Sequence, residues 1–232
     1  MSSPTGLDAA LATLDDARRR HRAVMSTSAD RAAKAVRDQV VEGLLRSGTR
    51  LPEERLAAAI GVSRNTLREA LSQLVAERIL VREPNRGVVV ATPSVDDVRD
   101  VYRVRRIIEP AAMREGRPTG DVAALALAVD EGRVADAAGD VDAVASANQH
   151  FHRAVVALAG SPRLDAQMDQ LLAEMRLFFH QMVRPDQFHR PYLEQNSDIA
   201  ELVLQGDRAT AAELLADYLA GAEEELVEAL GP

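Results

Sequence analysis

The sequence predicts a mainly α-helical protein, in which three helices and a β-hairpin precede an all-helical bundle. Alanine and leucine, which favour helices, dominate a composition with 47% hydrophobic and only 3% aromatic residues. Two β-branched runs flank a Pro/Asn/Gly turn within residues 79–91, which is the pattern of a hairpin. From residue 94 onwards, helical patterns alternate with Gly and Pro breaks and show no strand alternation.

Residues 1–27 are an N-terminal extension with a weak helical pattern over residues 7–25, and we expect it to be frayed or loosely docked. The first firm helix is expected to be capped by Ser28 or Asp30 and to run to about Arg46. Its apolar face consists of residues at helical spacing: Ala33, Val36, Val40 and Leu44.

The next two helices are short and are joined by a glycine turn. The first begins after Leu51–Pro52, with acidic residues in its first turn, and Gly61 ends it. Ser63 is the expected N-cap of the second, which runs to about Arg78. The hairpin follows directly, so residues 28–92 are predicted to form one domain.

Residues 93–95 are the expected linker to a second domain over residues 96–230. A long helix begins at the Ser94 cap and ends near Gly116. Breaks at Gly and Pro then bound five more helical stretches, whose lengths are ordinary for a bundle.

Charge is distributed unevenly between the two parts of the chain. The net charge is −8 overall, but residues 1–93 carry +4 and residues 94–232 carry −12. This asymmetry indicates a head that binds a polyanion, attached to an acidic body. The absence of cysteine excludes disulfide scaffolds and thiolate zinc sites. With no 18-residue apolar run and no signal peptide pattern, we expect a cytoplasmic protein without a membrane partner.

Residues 56–71 carry the most informative pattern in the chain. A short helix, a turn containing glycine and a second helix form a helix-turn-helix, whose second helix enters the DNA major groove by its N-terminal residues. The residues expected to contact DNA from that helix are Ser63, Arg64, Asn65, Thr66 and Arg68. Arg86 and Gly87, at the hairpin tip, are expected to reach an adjacent groove or the backbone.

These residues resemble the winged helix-turn-helix of the GntR family of bacterial transcription regulators, over residues 31–92. The helical part resembles the FCD-type ligand domain of its FadR-like subgroup. The resemblance implies a homodimer that binds a palindromic, double-stranded operator and responds to a small-molecule effector. Relatives with a Leu-Pro-x-Glu-Arg segment at the start of the helix that precedes the glycine turn often use that arginine on DNA. Here the segment reads Leu51-Pro-Glu-Glu-Arg55, register counted back from Gly61 places Glu54 at that position, and we assign no DNA role to Arg55.

The same resemblance implies where a divalent metal would bind in the helical domain, because many FCD-type domains use one Asp and three His. The matching register positions in this chain are Asn148, His152, Asn196 and Tyr218. Three of the four are substituted, and one imidazole with neutral amide and phenol oxygens is a poor set for a transition metal. We therefore predict no metal and no other cofactor.

The four residues instead form a neutral hydrogen-bonding cluster within an apolar bundle, and buried polar groups need partners. Either they pair with one another as a polar core, or an effector such as a small carboxylate supplies the partners. Arg105 and Arg176 are the expected positive charges of such an effector pocket. Alternatively, Arg105 pairs with Glu109, four residues further along the same helix.

The leading hypothesis is a ligand-responsive, DNA-binding transcription regulator that acts as a repressor. A second hypothesis keeps DNA binding but reduces the helical domain to dimerisation without sensing. A third makes the helical domain an enzyme, such as a hydrolase that uses His152. The sequence shows no nucleophile–base pattern, phosphate loop or metal-ligand set, so we predict that the protein is not an enzyme.

Overall fold

The computed structural model describes residues 27–117, 121–182 and 185–231, which divide between Thr92 and Pro93 into two compact units. In the first unit the elements are α1 Ser28–Val41, α2 Glu53–Ile60, α3 Arg64–Ala76, β1 Leu80–Glu83 and β2 Gly87–Val90. The predicted order of three helices and a hairpin is confirmed, whereas the helical pattern over residues 7–25 lies outside the described residues.

Side-chain caps define where several helices begin. Ser63 accepts a hydrogen bond from the Thr66 amide at 3.1 Å, and Ser94 forms a reciprocal capping box with Asp97, as expected. The predicted cap of α1 was wrong, because the hydroxyl of Thr27 accepts the hydrogen bond that begins this helix. Ser28 and Asp30, the predicted candidates, lie inside its first turn.

The predicted end of α1 was also wrong, since the helix ends at Val41 and not near Arg46. Gly43 has φ of +75°, a left-handed conformation that glycine adopts readily and that interrupts the helix. The turn changes which leucine faces the core. Leu45 is completely buried, and Leu44, which the helical pattern had placed on the inner face, is only half-buried.

The hairpin pairs β1 and β2 in antiparallel register, with Leu80 opposite Val90. Asn85 and Gly87 both have positive φ, which lets the chain reverse within the predicted turn. The structure adds a bridge that the sequence pattern did not predict: Arg50 pairs with β2, so the segment before α2 also hydrogen-bonds to the hairpin.

The second unit contains six helices among its described residues: α4 Val95–Glu115, α5 Ala123–Ala137, α6 Val141–Ala157, α7 Pro162–Phe179, α8 Pro185–Leu204 and α9 Arg208–Leu230. The helix α4 packs against α9, α5 packs against α6, and α8 contacts α5, α6 and α9. Aromatic and aliphatic side chains from all six helices form one core. None of the described helices is long and apolar enough to cross a membrane.

Candidate functional site

The outer face of α3 carries the residues predicted to contact DNA. Leu67, Leu71 and Leu74 are buried on the opposite side of the helix. Arg64 and Arg68 therefore project outwards one turn apart, and about two thirds of each side chain is exposed. Of the other predicted contacts on this helix, Ser63 and Asn65 are exposed and Thr66 is half-buried.

Each of these two arginines forms an ion pair with an acidic residue of α2. The Arg64 guanidinium donates to Glu54, and Arg68 Nε donates to Glu53 Oε2 at 2.8 Å. The hydrogen bond from Arg68 to Glu53 also raises the pKa of that guanidinium. The sequence pattern places these two acids in the first turn of α2 but does not indicate the pairing, because the partners are 10 and 15 residues apart.

The hairpin tip presents the remaining predicted DNA contacts. Arg86 and Gly87 are exposed, and Arg86 Nη1 donates to Glu83 Oε2 at 2.6 Å. Gly87 has φ of +81°, and no atom lies within 4 Å of where a Cβ would stand. Backbone conformation, and not crowding, therefore favours glycine at the tip.

A second group of functional candidates lies inside the helical unit. Six buried polar side chains from α4, α6, α8 and α9 form a continuous hydrogen-bonded group, which we call the polar cluster: Arg105, Glu109, Asn148, His152, Asn196 and Tyr218. The structure thus brings together five of the six residues predicted for the effector pocket.

Glu109 is the centre of the polar cluster, and its bridging role was not predicted. Its carboxylate accepts from Arg105 Nε at 2.5 Å and from His152 Nδ1 at 2.7 Å. Burial alone would raise the pKa of Glu109, but the adjacent Arg105 and His152 outweigh that effect and hold the pKa below its usual value. The spacing of Arg105 and Glu109 had indicated their pairing; only the structure adds the histidine from α6.

The other half of the polar cluster connects α6, α8 and α9. Asn148 Oδ1 accepts from Asn196 Nδ2 at 2.7 Å and lies 3.0 Å from the Tyr218 hydroxyl. That hydroxyl is also 3.1 Å from His152 Nε2. With His152 neutral and its proton on Nδ1, the single hydroxyl proton of Tyr218 can be donated either to Asn148 or to His152.

Three buried polar atoms of the cluster have no hydrogen-bond partner among the described residues. They are Nη1 and Nη2 of Arg105 and Oδ1 of Asn196. The Arg105 guanidinium lies 4.8 Å from the ring centroid of Tyr102, which is a favourable cation–π distance but satisfies no N–H group. A carboxylate is the group that best satisfies two adjacent guanidinium N–H groups.

The remaining arginine predicted for the pocket, Arg176, is buried elsewhere. Its Nη2 donates to Asp142 Oδ1 at 2.9 Å, near the beginning of α6. Arg106, the neighbour of Arg105, pairs instead with Glu223. His150 is an exposed residue whose ring lies 2.8 Å from Glu131. Arg106 and His150 lie on other faces of α4 and α6, whereas Arg176 belongs to α7, which contributes no residue to the polar cluster.

The polar cluster does not fit a transition metal. It offers one histidine, whose two ring nitrogens already contact Glu109 and Tyr218, and one carboxylate, which is bound to Arg105. Within the described ranges, no group of three or more His, Cys, Asp or Glu side chains is placed to hold a metal ion. Neutral amide and phenol oxygens do not compensate for the missing imidazoles.

Two buried histidines are expected to make the helical unit sensitive to acid. Burial lowers the pKa of His152, an effect that Glu109 partly opposes, and burial beside Arg176 lowers the pKa of His189 to about 3. The unfolded chain binds protons below about pH 6.5, whereas the two folded rings bind them only at lower pH, so both histidines reduce stability as the pH falls. For His189 the loss is about 1.4 kcal/mol per pH unit between about pH 6.5 and its folded pKa of about 3.

The contribution of His189 can be isolated by the substitution His189→Phe, because the ring already contacts Phe179 and Phe188. Urea unfolding at pH 7.5 and pH 5.0 is the measurement. The wild type should lose about 2 kcal/mol more than the variant between these two pH values. Equal losses in the two proteins would contradict a neutral, buried His189.

Comparison with family models matches both units of the chain. The model of the FCD domain matches residues 100–221, and the model of bacterial regulatory proteins of the gntR family matches residues 28–90. The first match alone covers more than half of the chain.

Individual relatives show the same two-part likeness. The HTH-type transcriptional regulator BphR of Paraburkholderia xenovorans (strain LB400) is 29% identical over 189 residues, 78% of this chain and 77% of BphR. The HTH-type transcriptional repressor GlaR of Escherichia coli (strain K12) is 29% identical over 185 residues, 72% of this chain and 84% of GlaR. A transcriptional regulator GntR from Rhodococcus sp. RHA1, whose crystal structure is known, is 38% identical in sequence to this chain. The two structures superpose with a TM-score of 0.80 over 88% of this chain and 99% of the Rhodococcus chain.

Proposed function

The chain belongs to the GntR family of bacterial transcription regulators and carries an FCD domain, and from this premise we propose that it is a repressor controlled by a small organic anion. The predicted family is confirmed, and with it DNA binding and the absence of an enzymatic role. The proposal adds that a homodimer binds a palindromic operator in the bacterial cytoplasm and that the effector binds without a metal.

The DNA-binding part of the proposal assigns α3 to the major groove. The outward arginines at i and i+4, Arg64 and Arg68, have the reach to contact guanine edges or phosphates. Ser63 and Thr66, at the N-terminus of the helix, can donate to phosphate. Arg86, at the hairpin tip, is proposed to contact the adjacent groove or backbone. A dimer would present two such heads to half-sites one helical turn apart.

The observation that carries the effector proposal is the buried guanidinium of Arg105. A buried N–H without a partner is unfavourable, and Arg105 has two such groups on one edge of its fork. An anion with a carboxylate would satisfy both, while Asn196 Oδ1 is available to accept from a hydroxyl or amine of the same molecule. This pattern favours a ligand over a purely structural polar core.

Control of DNA binding requires that the effector bind two states of the dimer with different affinity. We propose that the states differ in the spacing of the two DNA-binding heads and that the linker over residues 93–95 transmits the change.

The second candidate function, dimerisation without sensing, is supported by the many hydrogen bonds that the polar cluster already makes internally.

A thermal-shift experiment tests the effector proposal. Chelator-treated protein is melted with small mono- and dicarboxylates alone, with Zn²⁺, Ni²⁺ or Mn²⁺ alone, and with each combination of one carboxylate and one metal ion. A carboxylate at about 100 times its dissociation constant should add roughly 2.7 kcal/mol, which raises Tm by several degrees without any metal. The variant Arg105→Lys keeps the charge beside Glu109 but removes the planar fork, so the shift should largely disappear.

Three other outcomes would contradict the proposal. Stabilisation by a metal alone would indicate ligands outside the polar cluster. A carboxylate shift of equal size in Arg105→Lys would place the anion elsewhere. No shift with any compound, together with unchanged operator binding, would favour the dimerisation-only function.

A further inference from the structure

The first turn of α2 places two negative charges beside the proposed DNA-contacting arginines. Glu54 contacts Arg64, and Glu53 contacts Arg68. DNA is a polyanion, so acids on a DNA-contacting face reduce the attraction of that face for phosphate. Their presence next to the two outward arginines of α3 therefore needs a functional explanation.

The geometry at Arg68 indicates what such an acid can contribute. Glu53 Oε2 accepts from Nε, the inner nitrogen of the guanidinium, at 2.8 Å. This hydrogen bond uses neither Nη1 nor Nη2, the outer fork of the guanidinium. The outer fork is the part of arginine that contacts O6 and N7 of guanine. Glu53 thus holds the arginine without occupying the atoms that recognise a base. The pair at Arg64 differs, because Glu54 Oε1 accepts from Nη2, one of the outer nitrogens.

The two ways of binding DNA make different demands on this arrangement. In non-specific binding, we expect both arginines to turn towards phosphates, a movement that breaks their ion pairs with the acids. In the sequence-specific complex, Arg68 can keep its hydrogen bond from Nε to Glu53, whereas Arg64 has to release Nη2 from Glu54 to contact a base with its outer fork. Glu53 is therefore expected to disfavour the first mode more than the second.

We propose that Glu53 is a specificity-determining residue of DNA binding, which holds Arg68 for base contacts, and that Glu53 and Glu54 together weaken binding to phosphate alone. Exposed ion pairs of this kind alter an equilibrium by up to about fivefold each. A homodimer contains two copies of each ion pair, so the effects of the four pairs on the ratio of operator to non-specific affinity multiply. The inference rests on the proposed placement of α3 in the groove.

The test compares the full-length wild type with the double variant Glu53→Gln/Glu54→Gln. Fluorescence anisotropy measures binding to two duplexes of equal length: one that the wild type selects from a random-sequence library, and a scrambled one. Each titration is repeated at salt concentrations from about 50 to about 300 mM. Asp38→Asn is the matched control, because Asp38 is also exposed and ion-paired, but with Lys34 on α1. Circular dichroism and Tm verify folding.

The double variant should bind scrambled DNA at least about fivefold more tightly, with a steeper salt dependence, while operator affinity rises less or falls. Asp38→Asn should change neither affinity ratio nor salt slope appreciably. Equal increases on both duplexes would overturn the proposal in favour of a net-charge effect. Loss of operator affinity with unchanged scrambled binding would overturn it in favour of direct base recognition by the acids. Unchanged affinity for both duplexes would also overturn it.

Failure of the underlying function is distinguishable from failure of this inference. Arg64→Ala is measured on the same two duplexes. If it binds both as the wild type does, the placement of α3 in the groove is wrong, and the proposal for the acids is overturned with it. If the library yields no enriched sequence, the operator proposal fails, while binding of the double variant to scrambled DNA still decides whether the acids oppose phosphate contact.

Discussion

Arg64→Ala is expected to abolish operator-specific binding. A bidentate arginine–guanine contact contributes about 1–3 kcal/mol of discrimination, and a homodimer would lose one such contact in each half-site. The combined loss of about 2–6 kcal/mol corresponds to a fall in operator affinity of about 30-fold to more than 10⁴-fold. The fold should remain intact, because the Arg64 side chain is exposed and its ion pair with Glu54 contributes little to stability.

Gel-shift or anisotropy titration with the selected duplex measures this loss. Arg99→Ala is a suitable control because it removes an equal charge from an exposed ion pair, with Asp96 on α4, outside the DNA-binding unit. Operator affinity in Arg64→Ala equal to that of the control would refute the groove assignment of α3. A salt dependence that becomes shallower in Arg64→Ala would indicate that the residue contacted phosphate.

Arg105→Met is expected to destabilise the helical unit by about 3–5 kcal/mol, because it leaves the Glu109 carboxylate buried without its cation. His152 would remain as the only partner of that carboxylate in the polar cluster, and burial disfavours a positive charge on its ring. Urea unfolding at pH 7.5, analysed by linear extrapolation, gives the change in the free energy of unfolding.

The double variant Arg105→Met/Glu109→Gln separates charge imbalance from lost packing. A neutral glutamine can still accept the hydrogen bond from His152 Nδ1, and replacement of both members of a buried ion pair is often nearly neutral. We therefore expect the double variant to recover most of the stability lost in the single one. A single variant that is no less stable than the double would show that the buried charge of Glu109 does not depend on Arg105.

Much of the polar cluster could be predicted because the resemblance to FCD-type domains implies four ligand positions, and helical register carries those positions onto this chain. Asn196 and Tyr218 were assigned in this way, and both lie in the polar cluster with Asn148 and His152. The same register could not predict which partners meet across helices. Arg176, predicted for the pocket on its charge, pairs with Asp142 at another place in the unit.

The sequence alone determined the two-part architecture, the helix starts at Ser63 and Ser94, and the outward arginines of α3, because caps, periodicity and glycine turns act over a few residues. Only the tertiary structure decided that Glu109 joins Arg105 to His152, that acids of α2 hold the arginines of α3, and that Arg50 pairs with the hairpin. These contacts depend on which side chains converge when separate elements pack, and that convergence is a property of the whole fold and not of local spacing.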